Sequence, residues 1–143
     1  MKAAAKRFVL DASVAVVWCF DDETTPFTEG VLDLFSAGGE GVTPAVWPLE
    51  VANALLVAER RKRISMAQVT ALLSRIAQLH ISVEPVGPDR AFGQILSVAR
   101  QQQLTEYDAA YVELALREAL PLATLDDKLR QAARLAGIRL VSI

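Results

Sequence analysis

The sequence predicts an α/β fold in which helices cover a parallel sheet. Short apolar segments typical of buried strands alternate along the chain with longer helical segments, an order characteristic of parallel sheets. The 143 residues are enough for one domain with its own core, and 52% of them are hydrophobic. The chain has no repeat, low-complexity tract or linker, so we expect a single domain over residues 1–143.

In the first half of the chain, the alternation begins at once. Residues 7–11 (RFVLD) are a short apolar strand, and residues 12–18 extend the apolar run as either more strand or a buried helical turn. A helix over 24–37 is ended by a Gly-Gly pair, and a brief strand follows over 41–43. Because proline suits the first turn of a helix, the next helix is placed over 48–62.

The second half of the chain continues the same pattern. Ser65 and Gln68 have the spacing of a capping box, which predicts a helix that ends at residue 79. Pro88, Thr105 and Gly137 mark further helix boundaries. The remaining predicted elements are a strand over 80–84, helices over 88–102 and 106–120, a strand over 122–125, a helix over 126–136 and a strand over 139–143.

Composition excludes several classes of protein. The 15 basic and 17 acidic side chains give a net charge of −2, which argues against nucleic-acid binding through overall positive charge but not against a local basic patch. One cysteine and one histidine cannot form an internal disulfide or a Cys/His zinc site. The longest apolar run, 14–20, is too short to span a membrane. The basic N-terminus resembles an export signal, but Asp11 lies where the apolar region of such a signal should begin. We therefore expect a cytoplasmic protein.

The most informative residues are carboxylates in apolar surroundings. Asp11 is the only charged residue within 8–20, and it follows the first strand at the sheet edge where α/β proteins bind ligands. Glu50 and Asn53 are the only strongly polar residues within 45–58, and their i, i+3 spacing places them on one helix face. A helix that is apolar all round is expected to be buried, so Glu50 is predicted to point into the protein.

Two further acids complete the set. Asp108 lies in the first turn of its predicted helix, and Asp126 follows the strand over 122–125. If the four acids converge, their repulsion is severe, and a divalent cation is the simplest remedy. Ligands that are all oxygen favour Mg²⁺ or Mn²⁺ over zinc. Such a site activates water and holds phosphoryl oxygens during an in-line displacement.

Each acid also has a local structural interpretation. Thr105 and Asp108 have the spacing of a capping box. Asp126 is positioned to cap the last helix, and Asp11 to cap the turn that follows it. Glu50 is the hardest to explain locally, because burying an unpaired carboxylate is costly. Only a shared site accounts for all four acids together.

Other polar residues give weaker signals. Residues 59–63 (ERRKR) end a helix, where cations suit the helix dipole; alternatively, they form a phosphate-contacting patch beside the acidic site. Ser13 lies two residues after Asp11, and Thr124 lies two residues before Asp126. Both hydroxyls are placed either to orient metal, water or phosphate, or to serve as ordinary turn residues.

Four segments spread over almost the whole chain resemble a known family. They are VLDAS (9–13), PLEVANALL (48–56), LTEYDAAYVELA (104–115) and LATLDDKL (122–129). In this order and approximate spacing they are similar to PIN domains, specifically the VapC-type toxin ribonucleases of toxin–antitoxin modules. The resemblance implies a three-layer α/β/α sandwich with a central, mostly parallel sheet. It also implies Mg²⁺- or Mn²⁺-dependent cleavage of RNA, a homodimer, and a cognate antitoxin whose C-terminal tail covers the acidic pocket.

The resemblance also assigns roles to individual residues. The acidic positions, which carry catalysis and metal binding in the family, correspond to Asp11, Glu50, Asp108 and Asp126. The supporting polar positions correspond to Ser13, Asn53 and Thr124. Asp127 adjoins Asp126 and is a second candidate, but the Thr124-x-Asp126 spacing favours Asp126.

Three alternatives remain to be weighed. Receiver domains carry paired acids after the first strand and haloacid-dehalogenase phosphatases carry D-x-D there, whereas this chain has Asp11 alone. The stronger alternative is a non-catalytic PIN-like domain that binds RNA or protein without cutting it. The presence of all four acids favours the enzyme.

Overall fold

A computed structural model describes residues 6–143, so the first five residues of the expected domain lie outside it. The elements of the described chain are β1 (Arg7–Leu10), α1 (Ala12–Val17), α2 (Pro26–Ser36), β2 (Glu40–Pro44), α3 (Trp47–Arg60), α4 (Met66–Ala77), β3 (Ile81–Glu84), α5 (Pro88–Phe92), α6 (Gln94–Gln102), α7 (Glu106–Glu118), β4 (Leu122–Ala123) and α8 (Asp127–Leu135).

The four strands form one parallel sheet in the order β3-β2-β1-β4. Val9 of β1 pairs with Val42 of β2 on one side and with Leu122 of β4 on the other. Val42 in turn pairs with Ser82 of β3. Because every pairing is parallel, the carboxyl ends of all four strands lie along one edge. This confirms the α/β class and the parallel sheet.

Helices lie on both faces of the sheet. The chain crosses from β1 to β2 to β3 in one direction and then returns past β1 to reach β4. Since parallel crossovers are right-handed, the outward connections and the return connection lie on opposite faces. The result is the expected three-layer α/β/α sandwich. Its core is centred on β1, where Phe8, Val9 and Leu10 are fully buried, together with Tyr111 and Val112 of α7.

Most predicted elements are confirmed, with boundaries shifted by a few residues. Residues 12–18, for which the sequence left two alternatives, form the helix α1 rather than more strand. The Ser65 and Gln68 capping box is present with both of its hydrogen bonds. Thr105 caps α7 as expected, through a bond from the Asp108 backbone N–H to Thr105 Oγ1.

The single helix predicted over 88–102 is wrong, because Gly93 divides it into α5 and α6. Gly93 has φ −104° and ψ −100°, which is outside the helical region. A Cβ at this position would lie 2.7 Å from the carbonyl oxygen of Asp89. The break therefore requires a residue without a side chain.

The final strand predicted over 139–143 is also wrong. Leu140 forms only an isolated parallel bridge with Leu122. The Leu122 N–H donates to the carbonyl of Arg139, and the Val141 N–H donates to the carbonyl of Leu122, both at 2.9 Å. β4 is only two residues long, so it offers too short an edge for a full neighbouring strand.

The expectation that the third helix is buried all round is wrong. Trp47, Val51 and Leu55 form the buried face of α3, whereas Leu49 is 72% exposed and Leu56 is 39% exposed. α3 thus packs on one side only and presents an apolar surface on the other. Within residues 6–143, no helix combines the length and the hydropathy needed to cross a membrane.

Candidate active site

Asp11 lies at the centre of the candidate site. It follows β1, and Thr124 follows the neighbouring strand β4, so the two side chains meet at the carboxyl edge of the sheet. Thr124 Oγ1 donates a hydrogen bond to Asp11 Oδ2 at 2.7 Å, and Ser13 Oγ donates to the same oxygen at 2.7 Å. The structure therefore brings these three predicted residues together.

The same two hydroxyls hold the loop that follows β4. Ser13 Oγ accepts a bond from the Leu125 N–H, and Thr124 Oγ1 accepts one from the Asp126 N–H, both at 3.0 Å. Each hydroxyl thus links a backbone N–H of this loop to the Asp11 carboxylate. This double link fixes the carboxylate relative to the start of α8.

The Asp11 carboxylate is in an unfavourable environment. The residue is only 6% exposed, and burial raises the pKa of its carboxyl group. The hydrogen bonds from Ser13 and Thr124 oppose this rise in pKa, while the negative charge of Asp126 adds to it. Asp11 occupies the N-cap position of α1, but its side chain makes no capping hydrogen bond there. The capping interpretation of Asp11 is therefore wrong.

Glu50 lies in the first turn of α3 and is half-buried, which places it at the site rather than deep in the core. The hydroxyl of Tyr111 on α7 donates to Glu50 Oε1 at 2.5 Å. Burial raises the pKa of Glu50, the bond from Tyr111 lowers it in part, and the negative charges of Asp11 and Asp108 raise it further. Glu50 is thus oriented by α7 and repelled by two other acids of the site.

The Asp108 side chain is not used for capping. Among the described residues, no bond runs from the Thr105 N–H to the Asp108 carboxylate, so only half of the expected capping box forms. Burial raises the pKa of Asp108, and the negative charges of Asp126 and Asp11 raise it further, while Lys128 lowers it. Its carboxylate is therefore free to act at the site.

Asp126 combines both of its predicted roles. One carboxylate oxygen, Oδ1, accepts the Leu129 N–H at 3.0 Å and caps α8. Its charge also raises the pKa values of Asp11 and Asp108, so it lies close to both. Asp126 and Asp127 are both exposed, but only Asp126 is among the charges that raise the pKa of these acids, and only its N–H bonds to Thr124 of the site. The geometry favours Asp126 over Asp127.

Comparison with known families gives a match. The family model described as the PIN domain matches residues 8–135, which include all four acids. The chain belongs to the PIN domain family. This match confirms the PIN-domain part of the resemblance. A search of curated protein sequences gives no match.

Solved structures share the PIN fold at low sequence identity. PAE2754 from Pyrobaculum aerophilum has a TM-score of 0.66 at 21% identity, over 95% of this chain and 99% of that one. VapBC2 from Rickettsia felis, bound to a DNA fragment from their promoter, has a TM-score of 0.65 at 13% identity, over 94% and 97%. FitAcB from Neisseria gonorrhoeae has a TM-score of 0.62 at 16% identity, over 94% and 96%.

One residue of this PIN domain's site was missed in the sequence. Tyr111 is fully buried. Burial raises the pKa of its phenol, and the hydrogen bond to Glu50 raises that pKa further, so the hydroxyl remains a hydrogen-bond donor. The available signal was its position one helical turn after Asp108 in an otherwise apolar stretch. Asn53, by contrast, is exposed, and within the described chain its side chain makes no hydrogen bond to the other site residues.

The donor set of the PIN domain fits a hard divalent cation. All candidate ligands are carboxylate oxygens, and their mutual repulsion is what a cation relieves. Across residues 6–143, no three acidic, histidine or cysteine side chains stand close enough to enclose an ion by themselves. Mg²⁺ usually keeps several waters and is held by one or two carboxylates. An open carboxylate site therefore suits Mg²⁺ or Mn²⁺ better than a metal that needs a closed protein cage.

Proposed function

We propose that this protein is a metal-dependent endoribonuclease that hydrolyses RNA phosphodiester bonds, with one PIN-like nuclease domain over residues 1–143. The observation that carries the proposal is geometric: four acids from four separate segments lie at one sheet edge, where Ser13 and Thr124 bond to Asp11 and Tyr111 bonds to Glu50. Local capping explains one oxygen of Asp126 but not the position of Asp11, Glu50 or Asp108.

In the proposed mechanism, the four acids share one task. Asp11, Glu50, Asp108 and Asp126 would together hold Mg²⁺ or Mn²⁺, with the ion keeping several of its waters. Such an ion would supply activation of water and neutralisation of charge on the phosphoryl group. Ser13 and Thr124 orient the Asp11 carboxylate, and Tyr111 orients Glu50.

The test is cleavage of a panel of structured RNAs by the purified protein. We expect cutting with Mg²⁺ or Mn²⁺, little with Zn²⁺, and none in excess EDTA, because the ligands are all oxygen. Cleavage that persists in EDTA would show that the mechanism is wrong. Binding of RNA without cleavage at any metal concentration would favour the non-catalytic PIN-like domain instead.

We further propose that the protein is the toxin of a type II toxin–antitoxin pair, acting in the cytoplasm as a homodimer. The VapC-type resemblance supports this, as do the structural neighbours named VapBC2 and FitAcB. Exposed apolar side chains at Leu49, Phe92 and Tyr107 are consistent with a surface that a partner covers.

Expression of the protein alone is expected to arrest cell growth, and co-expression of a small protein encoded beside it is expected to restore growth. The measurement is the growth rate after induction, with the Asp108→Asn variant as the control that should be harmless. Normal growth at high levels of active nuclease would rule out the toxin role while leaving the nuclease intact.

A further inference from the structure

Three cations at the end of α3 are left without acidic partners. Arg60, Arg61 and Lys62, here called the basic corner, are all exposed, and in the described chain none of them forms a salt bridge. The next residue, Arg63, differs: it pairs with Glu23 at 3.4 Å and lies over the ring of Phe20 at 4.4 Å. The basic corner is thus a local positive charge on a protein whose net charge is −2.

The backbone at Lys62 favours a different residue. Lys62 has a φ of 60°, in the left-handed region, and the Arg63 N–H bonds back to the carbonyl of Ala58 at 2.9 Å. Glycine is the usual residue at this position after a helix, because a side chain is strained there. Gln103 and Ala119 adopt the same conformation at the ends of α6 and α7, so the conformation alone does not select a lysine at this position.

The basic corner lies at the opposite end of α3 from Glu50. Glu50 is in the first turn of the helix, ten residues before Arg60, and at 1.5 Å per helical residue this is about 15 Å. α1 also begins at the site, directly after Asp11. Phe20, three residues after the end of α1, contacts Arg63, three residues after the end of α3. Both helices therefore begin near the acids and end near the basic corner.

A separation of about 15 Å corresponds to a short stretch of nucleic acid. Phosphates of a stacked strand rise by about 3.4 Å each, so the distance spans roughly four nucleotides. Beside Lys62 there is a shallow, open depression lined also by Ser65 and Met66, and Met66 is 71% exposed. Because the depression is open to solvent, a base has room next to a bound phosphate.

We propose that Arg60, Arg61 and Lys62 bind backbone phosphates of the RNA, about four nucleotides from the phosphate at the carboxylate site. The proposal rests on RNA being the substrate. The carboxylate site repels RNA until a cation binds, so attraction has to come from another part of the surface. The basic corner supplies it, and contacts to phosphates carry no sequence preference.

Lys62→Gly provides a sharp test, because it removes one charge and also relieves the left-handed strain. We expect its melting temperature to stay the same or rise, while its affinity for a 12-nucleotide single-stranded RNA falls several-fold in EDTA. The slope of log K against log salt should become shallower by about 0.7, the value for one lost phosphate contact on a single strand. The further changes Arg60→Gln and Arg61→Gln should each add a similar step.

Arg100→Gln is the matched control, since Arg100 is an exposed cation on α6 with the same charge. It should bind RNA with the affinity and salt slope of the wild type. An unchanged affinity and slope in Lys62→Gly, or an equal loss in Arg100→Gln, would overturn the proposal. RNA binding measured in EDTA does not depend on catalysis. A loss of RNA binding in Lys62→Gly would therefore support the role of the basic corner even if the wild-type protein cuts no RNA. Absence of cutting by the wild type would refute the nuclease alone.

Discussion

Replacement of Asp108 by asparagine is expected to reduce metal-dependent RNA cleavage by roughly 10²–10³-fold or more, the scale seen when one electrostatic contact to a developing charge is lost. Asparagine keeps the shape of the side chain and leaves the bond from the residue 108 N–H to Thr105 Oγ1 in place. The fold should therefore survive, and circular dichroism and the melting curve should confirm it. The rate is measured with Mn²⁺ under single-turnover conditions.

Asp127→Asn is the control for this experiment. Asp127 is exposed at the start of α8 and adjoins Asp126, so the control makes the same chemical change close to the site. It should retain most of the activity. Equal cleavage rates for Asp108→Asn and wild type would show that Asp108 has a purely structural role. Activity lost in Asp127→Asn but kept in Asp126→Asn would show that the wrong neighbour was chosen.

The second expected result concerns stability: Asp11→Asn should melt at a higher temperature than wild type in EDTA. Burial and the charge of Asp126 make the ionised Asp11 unfavourable in the folded protein. Asparagine removes the charge, and its amide oxygen can still accept the bonds from Ser13 and Thr124. Loss of a useful helix cap would instead lower stability by about 0.5–2 kcal/mol.

The same variant should respond less to metal. A cation that binds only the folded state adds about 2.7 kcal/mol at one hundred times its dissociation constant, or a melting shift of about 5–15 °C. Asp11→Asn should show a smaller shift with Mn²⁺, whereas Asp127→Asn should show the wild-type shift. A variant at Asp11 that melts lower than wild type and keeps the full Mn²⁺ shift would exclude a shared pocket.

The pH dependence of stability gives an independent check. The pKa values of Asp11, Glu50 and Asp108 are raised in the folded protein from ordinary values of 3.8, 4.5 and 3.8. The folded state therefore binds protons more tightly than the unfolded state. In EDTA, the free energy of unfolding should fall as the pH rises from about 4 and level off above the raised values. In Asp11→Asn this fall should be smaller.

The sequence was sufficient to place the acids because of one topological rule. Asp11 follows a strand, Asp126 follows the short loop after another, and strands in a parallel sheet end at one edge. The charge isolation of Glu50 marked it as a further candidate for the same site. Tyr111 was missed because its bond to Glu50 depends on how α7 packs against α3, and its position one turn after Asp108 shows only that it shares a helix face with that acid.

The errors in the fold have the same origin. Gly93 divides a helix because of one close approach between backbone atoms, whereas an isolated glycine in a helical pattern is often tolerated. The last residues of the chain have a strand-like composition, but whether they pair depends on the length of β4. The exposed face of α3 was predicted to be buried because the sequence does not show whether an apolar residue faces the core or the surface.

The hydroxyl link between Thr124 and Asp11 joins residues 113 positions apart in the chain. Closing so long a loop is slow relative to the formation of local helices, so the site is expected to be among the last parts of the protein to form. A chain still being synthesised, with α7 complete but β4 inside the ribosome, lacks the groups that orient Asp11. Under the proposed function, the ribosome that makes the protein is therefore exposed to an ordered nuclease site only after Thr124 has emerged.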